Sequence, residues 1–551
     1  MITRIAWVAG ALAMVAFILS CIVVVDGHWT ITLFDDAMIS MRYARNLVDS
    51  GALGWNPGEH GVEGYTNFLW TLWMAVLHVV PIAERWISLP VIVSAAALLV
   101  LAGHRADRIA QRLEVSEASR AIGLAATVCC YGLLYWSLRG MEVALLAALV
   151  MLGTWELVRG RMLATAACAV GLVLTRSDGV IFVAVWIGYA ALAMQGRERV
   201  RALGVLVGIT AITFAAHTAF RSAYYGDPLP NTYYLKLGGI PLATRVVRGA
   251  AALWHLLQCG WIVPVAIAAT ALRRRQHRAI TVLLASIVVV AAAYAVYVGG
   301  DAWEQLDIPD RYLAPALPAL SVLAAIGLDT IVGSPKLAAI SAAGLVAFAV
   351  LQLVMPFAPW RIHGTVTGDT LVIVRVAAGL GFALAIVRWP RRWIVATALL
   401  LATSGERWVD WAQHRPADVQ IDADRVRHGL AIRAATTEDA TLATTPAGNI
   451  PYFAHRTTID LLGKSDARIA HEPPKTTRFH PGHVKWDYPY SIGELEPDVV
   501  DELFTPAEAS LVDADKKAMP GWGYVYIGSN IYVREGSPRV DRDKLLRELA
   551  R

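Results

Sequence analysis

The chain has 551 residues, 56% hydrophobic and only 17% charged, with a mean hydropathy of +0.49. So apolar a composition excludes an ordinary soluble domain, and no basic patch of the kind that binds nucleic acid is present. The net charge of +5 fits the Lys/Arg bias of cytoplasmic loops in a membrane protein.

All five cysteines (Cys21, Cys129, Cys130, Cys168, Cys259) lie in apolar runs, and the polar last third has none. Disulfides and a Cys-based metal site therefore do not organise that last third. At the start, Arg4 precedes an apolar run too long for a signal-peptide core, with no cleavage site after it. That pattern predicts a retained signal-anchor helix.

Apolar runs predict spans over 5–25, 86–103, 121–138, 143–158, 162–175, 180–195, 202–220, 251–272, 279–298, 313–333, 337–355, 371–388 and 391–404. One further run, 66–83, is ambiguous. If it spanned, four Arg-rich connectors (104–120, 159–161, 197–201 and 273–278) would fall outside. If it lies along the interface, those four and 388–392 all fall inside. Its Trp70, Trp73 and His78 suit an interfacial helix. The expectation is about thirteen spans, with the N-terminus inside. The segments 26–85, 139–142, 175–179, 221–250, 299–312 and 356–370 and the tail then share the extracytoplasmic side. The tail, 405–551, is polar, carries short β-like runs at 523–527 and 530–533, and predicts a mixed α/β domain after a membrane domain over 1–404.

The first outer loop begins FDDAMISMRYARN (34–46) and continues WNPGEHGVEGYTNFLW (55–70). Asp35 and Asp36 at the start of a helix read most simply as a cap favoured by the helix dipole. A long loop with five acids and several aromatics nonetheless exceeds what topology requires. It contributes Arg42, Arg45, Glu63, Tyr65 and Asn67. Farther on, Arg139 and Glu142 stand alone between two spans, and Arg176 and Asp178 form TRSDG at a span end. YYGDPLPNTYYLK (224–236) gathers Asn231, Tyr233 and Lys236 among turn formers. GGDAWEQLDIPDRY (299–312) holds Asp301, Asp310 and Arg311. The tail holds Asp460, Lys464, His483, Lys485 and Trp486. Its histidines (His455, His471, His480, His483) match no compact zinc spacing, so no metal is expected.

The wording DDAMISMRYARNLVDSG…WNPGE…VEGYTNFLWTLWMA resembles the GT-C class of membrane glycosyltransferases, and within it the terminal β-(1→2) arabinofuranosyltransferase group of mycobacteria and relatives. The likeness is strong over the first outer loop, a matter of plan over the remaining membrane part, and scattered over the tail. It implies an α-helical polytopic GT-C fold in the plasma membrane and a polyprenyl-phosphate sugar donor. The acceptor it implies is a cell-wall glycan such as the arabinan of arabinogalactan or lipoarabinomannan, with no cofactor. Asp36 or Asp35 would act as base toward the acceptor hydroxyl. Cations such as Lys236, Arg311, Arg176 and Arg139 would hold the lipid phosphate. Arg42, Arg45, Glu63, Tyr65, Asn67, Glu142, Asp178, Asn231, Tyr233, His483 and Lys485 would line donor or acceptor. A β-linked donor giving a β-linked product would require retention, which a lone base does not explain. No Walker A or Rossmann fingerprint appears, in keeping with a lipid-linked donor. A transporter would place ionisable groups at mid-span and show paired repeats, and neither pattern is found.

Overall fold

The computed structural model describes residues 1–334 and 417–550, apart from 60 and 505–509, plus single positions between 336 and 411. The expected spans 337–355, 371–388 and 391–404, and the domain boundary at 404, lie outside the described residues but for single positions.

Each of the other ten expected spans contains a helix. They are α1 (Ile2–Ser20), α4 (Ser88–Arg112), the pair α5 (Glu117–Val128) and α6 (Tyr131–Leu138), α7 (Val143–Val158), α8 (Met162–Thr175), α9 (Val180–Ala193), α10 (Gly196–Tyr225), the pair α12 (Leu242–Leu256) and α13 (Ile262–Thr270), α14 (Arg278–Val298) and α15 (Leu317–Val332). Among the described residues, six segments are long and apolar enough to cross a membrane, and a seventh joins them if α5 and α6, bent by 41°, count as one span. This is a polytopic, mostly helical membrane protein with a C-terminal α/β domain.

Two expectations are corrected. First, α1 stops at Ser20, and the run Ile22–Val25 is a strand (β1) paired antiparallel with His28–Ile31 (β2). A β-branched run followed by Asp26-Gly27, both at positive φ, favours a tight hairpin over a last helical turn. Second, α7, α8 and α9 have only 16, 14 and 14 residues, short of the ~20 needed to cross. The turns that separate them carry Arg159–Arg161 and TRSDG.

The amphipathic helix α2 (Asp35–Ser50) ends at Gly51 in the left-handed region, φ 72. The ambiguous run forms only an 11-residue helix, α3 (Phe68–His78). At 1.5 Å per residue this is about half a bilayer core. It lies against the tail, where His78 bonds the Tyr452 hydroxyl at 3.0 Å.

The tail is a five-stranded mixed sheet in the order β4-β3-β5-β7-β6. Its strands are β3 (Thr441–Thr444), β4 (Thr457–Asp460), β5 (Val499–Asp501), β6 (Tyr524–Gly528) and β7 (Ile531–Arg534). β3 runs parallel to β4 and β5, while β7 is antiparallel to β5 and β6. Each face of the sheet has its own apolar cluster. Val419, Ala423, Val426, Tyr452 and Phe453 instead join the core of the membrane part. Tail and membrane part are thus packed together through shared apolar burial, and this places tail residues beside the first outer loop.

Candidate active site

The acidic pair splits as soon as its partners are traced. Successive helical positions point about 100° apart, so neighbouring acids cannot face one target. Asp35 turns to the tail, where its carboxylate accepts the backbone N–H of Asn449 at 2.7 Å and of Gly448 at 3.2 Å. Gly448 is what permits this approach. A Cβ there would lie 1.8 Å from the Asp35 carbonyl oxygen. Burial pushes the Asp35 carboxyl up.

Asp36 turns the other way. Its Oδ2 accepts from Arg311 at 2.8 Å and its Oδ1 from Lys464 at 2.9 Å. Arg311 also pairs with Asp301 at 2.9 Å. Burial raises the Asp36 carboxyl, but Lys464, Arg311 and Lys236 outweigh it and hold the group well below the usual carboxylate range. Lys236 stands near this cluster with no hydrogen-bond or ion-pair partner among the described residues. Burial and then Arg311 push its amine down to about 8. Three cations therefore meet two carboxylates, an arrangement suited to a further anion.

Each member is held by structure around it. Lys464 sits in a turn built on Asp460, whose carboxylate accepts N–H groups from Leu462, Gly463 and Ser465. Asn231 fastens that turn, donating to the carbonyls of Gly463, Lys464 and Asp466 at 2.8–3.1 Å. Lys236 rides on α11 (Asn231–Leu237), and Lys485 braces that helix by donating to the Tyr234 and Ala470 carbonyls at 3.0 and 2.7 Å. His483 stacks on His480 with ring centroids 4.7 Å apart, and burial pushes it down to about 3, so it is neutral.

A second layer adjoins the first through Tyr312. Arg176 lies 5.4 Å from that ring, pairs with Glu142 at 2.7 Å and binds Asp178 by two bonds of 2.8 and 2.9 Å. Asn67 donates to Glu142 at 3.0 Å. Glu63 is buried in a two-bond pair with Arg221 at 2.6 and 3.0 Å, and burial pushes its carboxyl up to about 7.

The other expected site residues are placed elsewhere. Arg42 donates to the carbonyls of Trp55, Pro451 and Arg456 and to Asn56. Arg45 donates to the Tyr452 carbonyl and lies 4.4 Å over its ring. Arg139 is fully buried, paired with Asp422 and bonded to the Thr32 carbonyl at 3.1 Å. It therefore pairs with neither Glu142 nor the Asp36 cluster. Tyr65 bonds the Tyr225 hydroxyl at 3.1 Å, and Tyr233 is exposed. Sequence reasoning did not find Arg221 or Asp422. Each lies inside a helix with nothing local to mark it.

A family described as a domain of unknown function (DUF8728) matches residues 414–535. No curated protein matches this sequence. Solved structures do match. ArnT from Cupriavidus metallidurans in the apo state is 14% identical with a TM-score of 0.53, covering 97% of this chain and 98% of that one. The same protein bound to undecaprenyl phosphate is 15% identical with a TM-score of 0.50, covering 97% and 99%. Arabinofuranosyltransferase AftD from mycobacteria is 14% identical with a TM-score of 0.43, covering 98% of this chain and 40% of that one. The chain has the GT-C fold.

Proposed function

We propose that the protein is a membrane glycosyltransferase that takes a sugar from a polyprenyl-phosphate donor. The observation that carries this reading is Asp36 held between Arg311 and Lys464, with Lys236, unpartnered among the described residues, beside them. The ArnT structure with undecaprenyl phosphate supports the donor class, because that protein has the same fold.

In this reading the donor phosphate lies against Lys236, Lys464 and Arg311. Asp36 takes the proton of the acceptor hydroxyl, and the acceptor oxygen bonds the anomeric carbon on the face from which the phosphate departs, the front-side course that retention at a β-linked donor requires. The bond from that carbon to the phosphate oxygen breaks, and the departing phosphate's charge is met by the cations. The same cations hold Asp36 ionised and weakly basic at rest. When they share their charge with phosphate, its basicity rises toward the range a general base needs. Glu142, Arg176 and Asp178 supply a polar wall for sugar hydroxyls.

The sugar is an arabinofuranosyl unit and the acceptor a cell-wall arabinan. This assignment rests on the first-loop wording. The site and the tail face the extracytoplasmic side of the plasma membrane, and no metal takes part in the transfer step. The test is transfer by purified protein from synthetic polyprenyl-phosphate arabinose to an oligo-arabinoside. Transfer is the expected result. Transfer only from another lipid-linked sugar removes the arabinose assignment, and transfer from none removes the enzyme reading.

A further inference from the structure

A second constellation of chemically able side chains lies apart from the Asp36 pairs. His255 lies in the last turn of α12, Cys259 follows four residues later, and Asp307 reaches them from the 299–312 loop. The His255 Nε2 is 2.7 Å from the Asp307 Oδ1 and 3.6 Å from the Cys259 Sγ. One ligand atom from each lies within 4.8 Å of the other two. His255 and Cys259 are buried, and Asp307 is partly so.

We infer that His255, Cys259 and Asp307 form a structural site for a zinc-class divalent cation, pinning the 299–312 loop to the break between α12 and α13.

The donor set fits. Imidazole, thiolate and carboxylate are the zinc ligands, and a bound water completes four-coordination. Tetrahedral zinc with ordinary bond lengths sets sulfur and nitrogen about 3.6 Å apart, and nitrogen and oxygen about 3.4 Å. The first spacing is already present. The second needs the carboxylate to withdraw by a fraction of an ångström from the hydrogen bond it now makes. The other Asp307 oxygen accepts from Arg407 at 2.9 Å, so Oδ1 is the oxygen directed at the imidazole. Such a contact to the non-ligating oxygen is how carboxylate ligands are oriented.

The backbone supports the same reading. Leu257–Trp261 departs from α-helical geometry, with Cys259 at ψ 16 and Gly260 at φ 100, so sulfur sits where the helix is interrupted. Asp307 is in the left-handed region at φ 51. Irregular backbone of both kinds gathers at functional positions. His255 and Asp307 also border a small cavity of about 20 Å³, whose lining includes Trp136, Trp303 and Glu304. Binding deprotonates Cys259, and the thiol proton leaves to solvent. The site's expected effect on chemistry is indirect, since the pinned loop also carries Asp301 and Arg311.

The proposal does not depend on the transfer reaction and is tested without it. The full-length protein in detergent, stripped with chelator and reloaded, should hold about one zinc per chain by elemental analysis. Cobalt in its place should give the near-ultraviolet thiolate-to-cobalt absorption. Cys259→Ser should abolish that band, and His255→Gln and Asp307→Asn should each weaken zinc at least about tenfold. Wild-type protein that takes up neither metal stoichiometrically overturns the site, whether or not the variants fold. So does a cobalt band that survives in Cys259→Ser.

Discussion

Two neighbouring regions spend buried charge differently. Along the seam between membrane part and tail, Asp35, Arg42, Arg45 and Arg139 are bonded chiefly to backbone groups or to a single opposite charge. A few residues away, Asp36 is shared between Arg311 and Lys464, and Lys236 stands by without a partner among the described residues. Charge matched to fixed backbone dipoles is committed to holding the fold. Charge matched to side chains, with a cation to spare, can be redistributed when a ligand arrives. Two adjacent aspartates fall on opposite sides of this divide.

The sharpest way to break the comparison is to remove one acid at a time. Asp36→Asn should lower transfer per folded molecule by about 10²–10⁴-fold, the usual worth of a positioned general base, and should also lower the thermal midpoint, because Arg311 and Lys464 lose the carboxylate they share. If turnover measured on folded protein is unaffected, Asp36 is not the base. On the seam, Arg139→Met leaves the buried Asp422 carboxylate without its main partner. A loss of about 3–5 kcal/mol is expected, read as a lowered midpoint of thermal unfolding in detergent. Asp35→Asn should cost about 1–3 kcal/mol, because one amide oxygen cannot serve both N–H groups. Its turnover per folded molecule should stay within a few-fold of wild type, where Asp36→Asn falls by orders of magnitude.

Lys236→Met should raise the donor KM by roughly tenfold, about 1.4 kcal/mol of a charge-assisted hydrogen bond, and change kcat less. The pH dependence has a definite sign. Lys236 titrates at about 8 in the free protein, so it is charged below that pH and loses its charge above it. The donor KM should therefore rise as pH passes 8, and the Met variant should lose that inflection. The smallest effect belongs to exposed Tyr233. Tyr233→Ala should shift stability by no more than about 0.5 kcal/mol and leave turnover alone.

The sequence exposed some of this plainly. Hydropathy placed ten helices, and the run 66–83, set apart from the spans, forms only the 11-residue α3. The short runs GYVYI and NIYV became the β6–β7 hairpin. The first-loop acids, Lys236 and Arg311 stood out because loop charges between apolar runs are few. What could not be read was which charges bind backbone. An arginine on an amphipathic helix has the same pattern whether it meets a carbonyl, as Arg42 does, or a ligand. Contacts such as Arg139–Asp422 and Lys464–Asp36 cross 283 and 428 positions of the chain, far beyond any local pattern. The Ile22–Val25 strand was lost to hydropathy because a buried strand and a helix end are equally apolar there.

The Lys464–Asp36 bond also has a consequence in time. Asp36 is made early and Lys464 hundreds of residues later, so the emerging chain carries its acid without the cation that completes the setting. Under the glycosyltransferase reading, a chain whose synthesis stops short of the tail inserts its helices and remains inert. Under that reading the fold ties the onset of activity to the making and docking of the tail segment that carries Lys464.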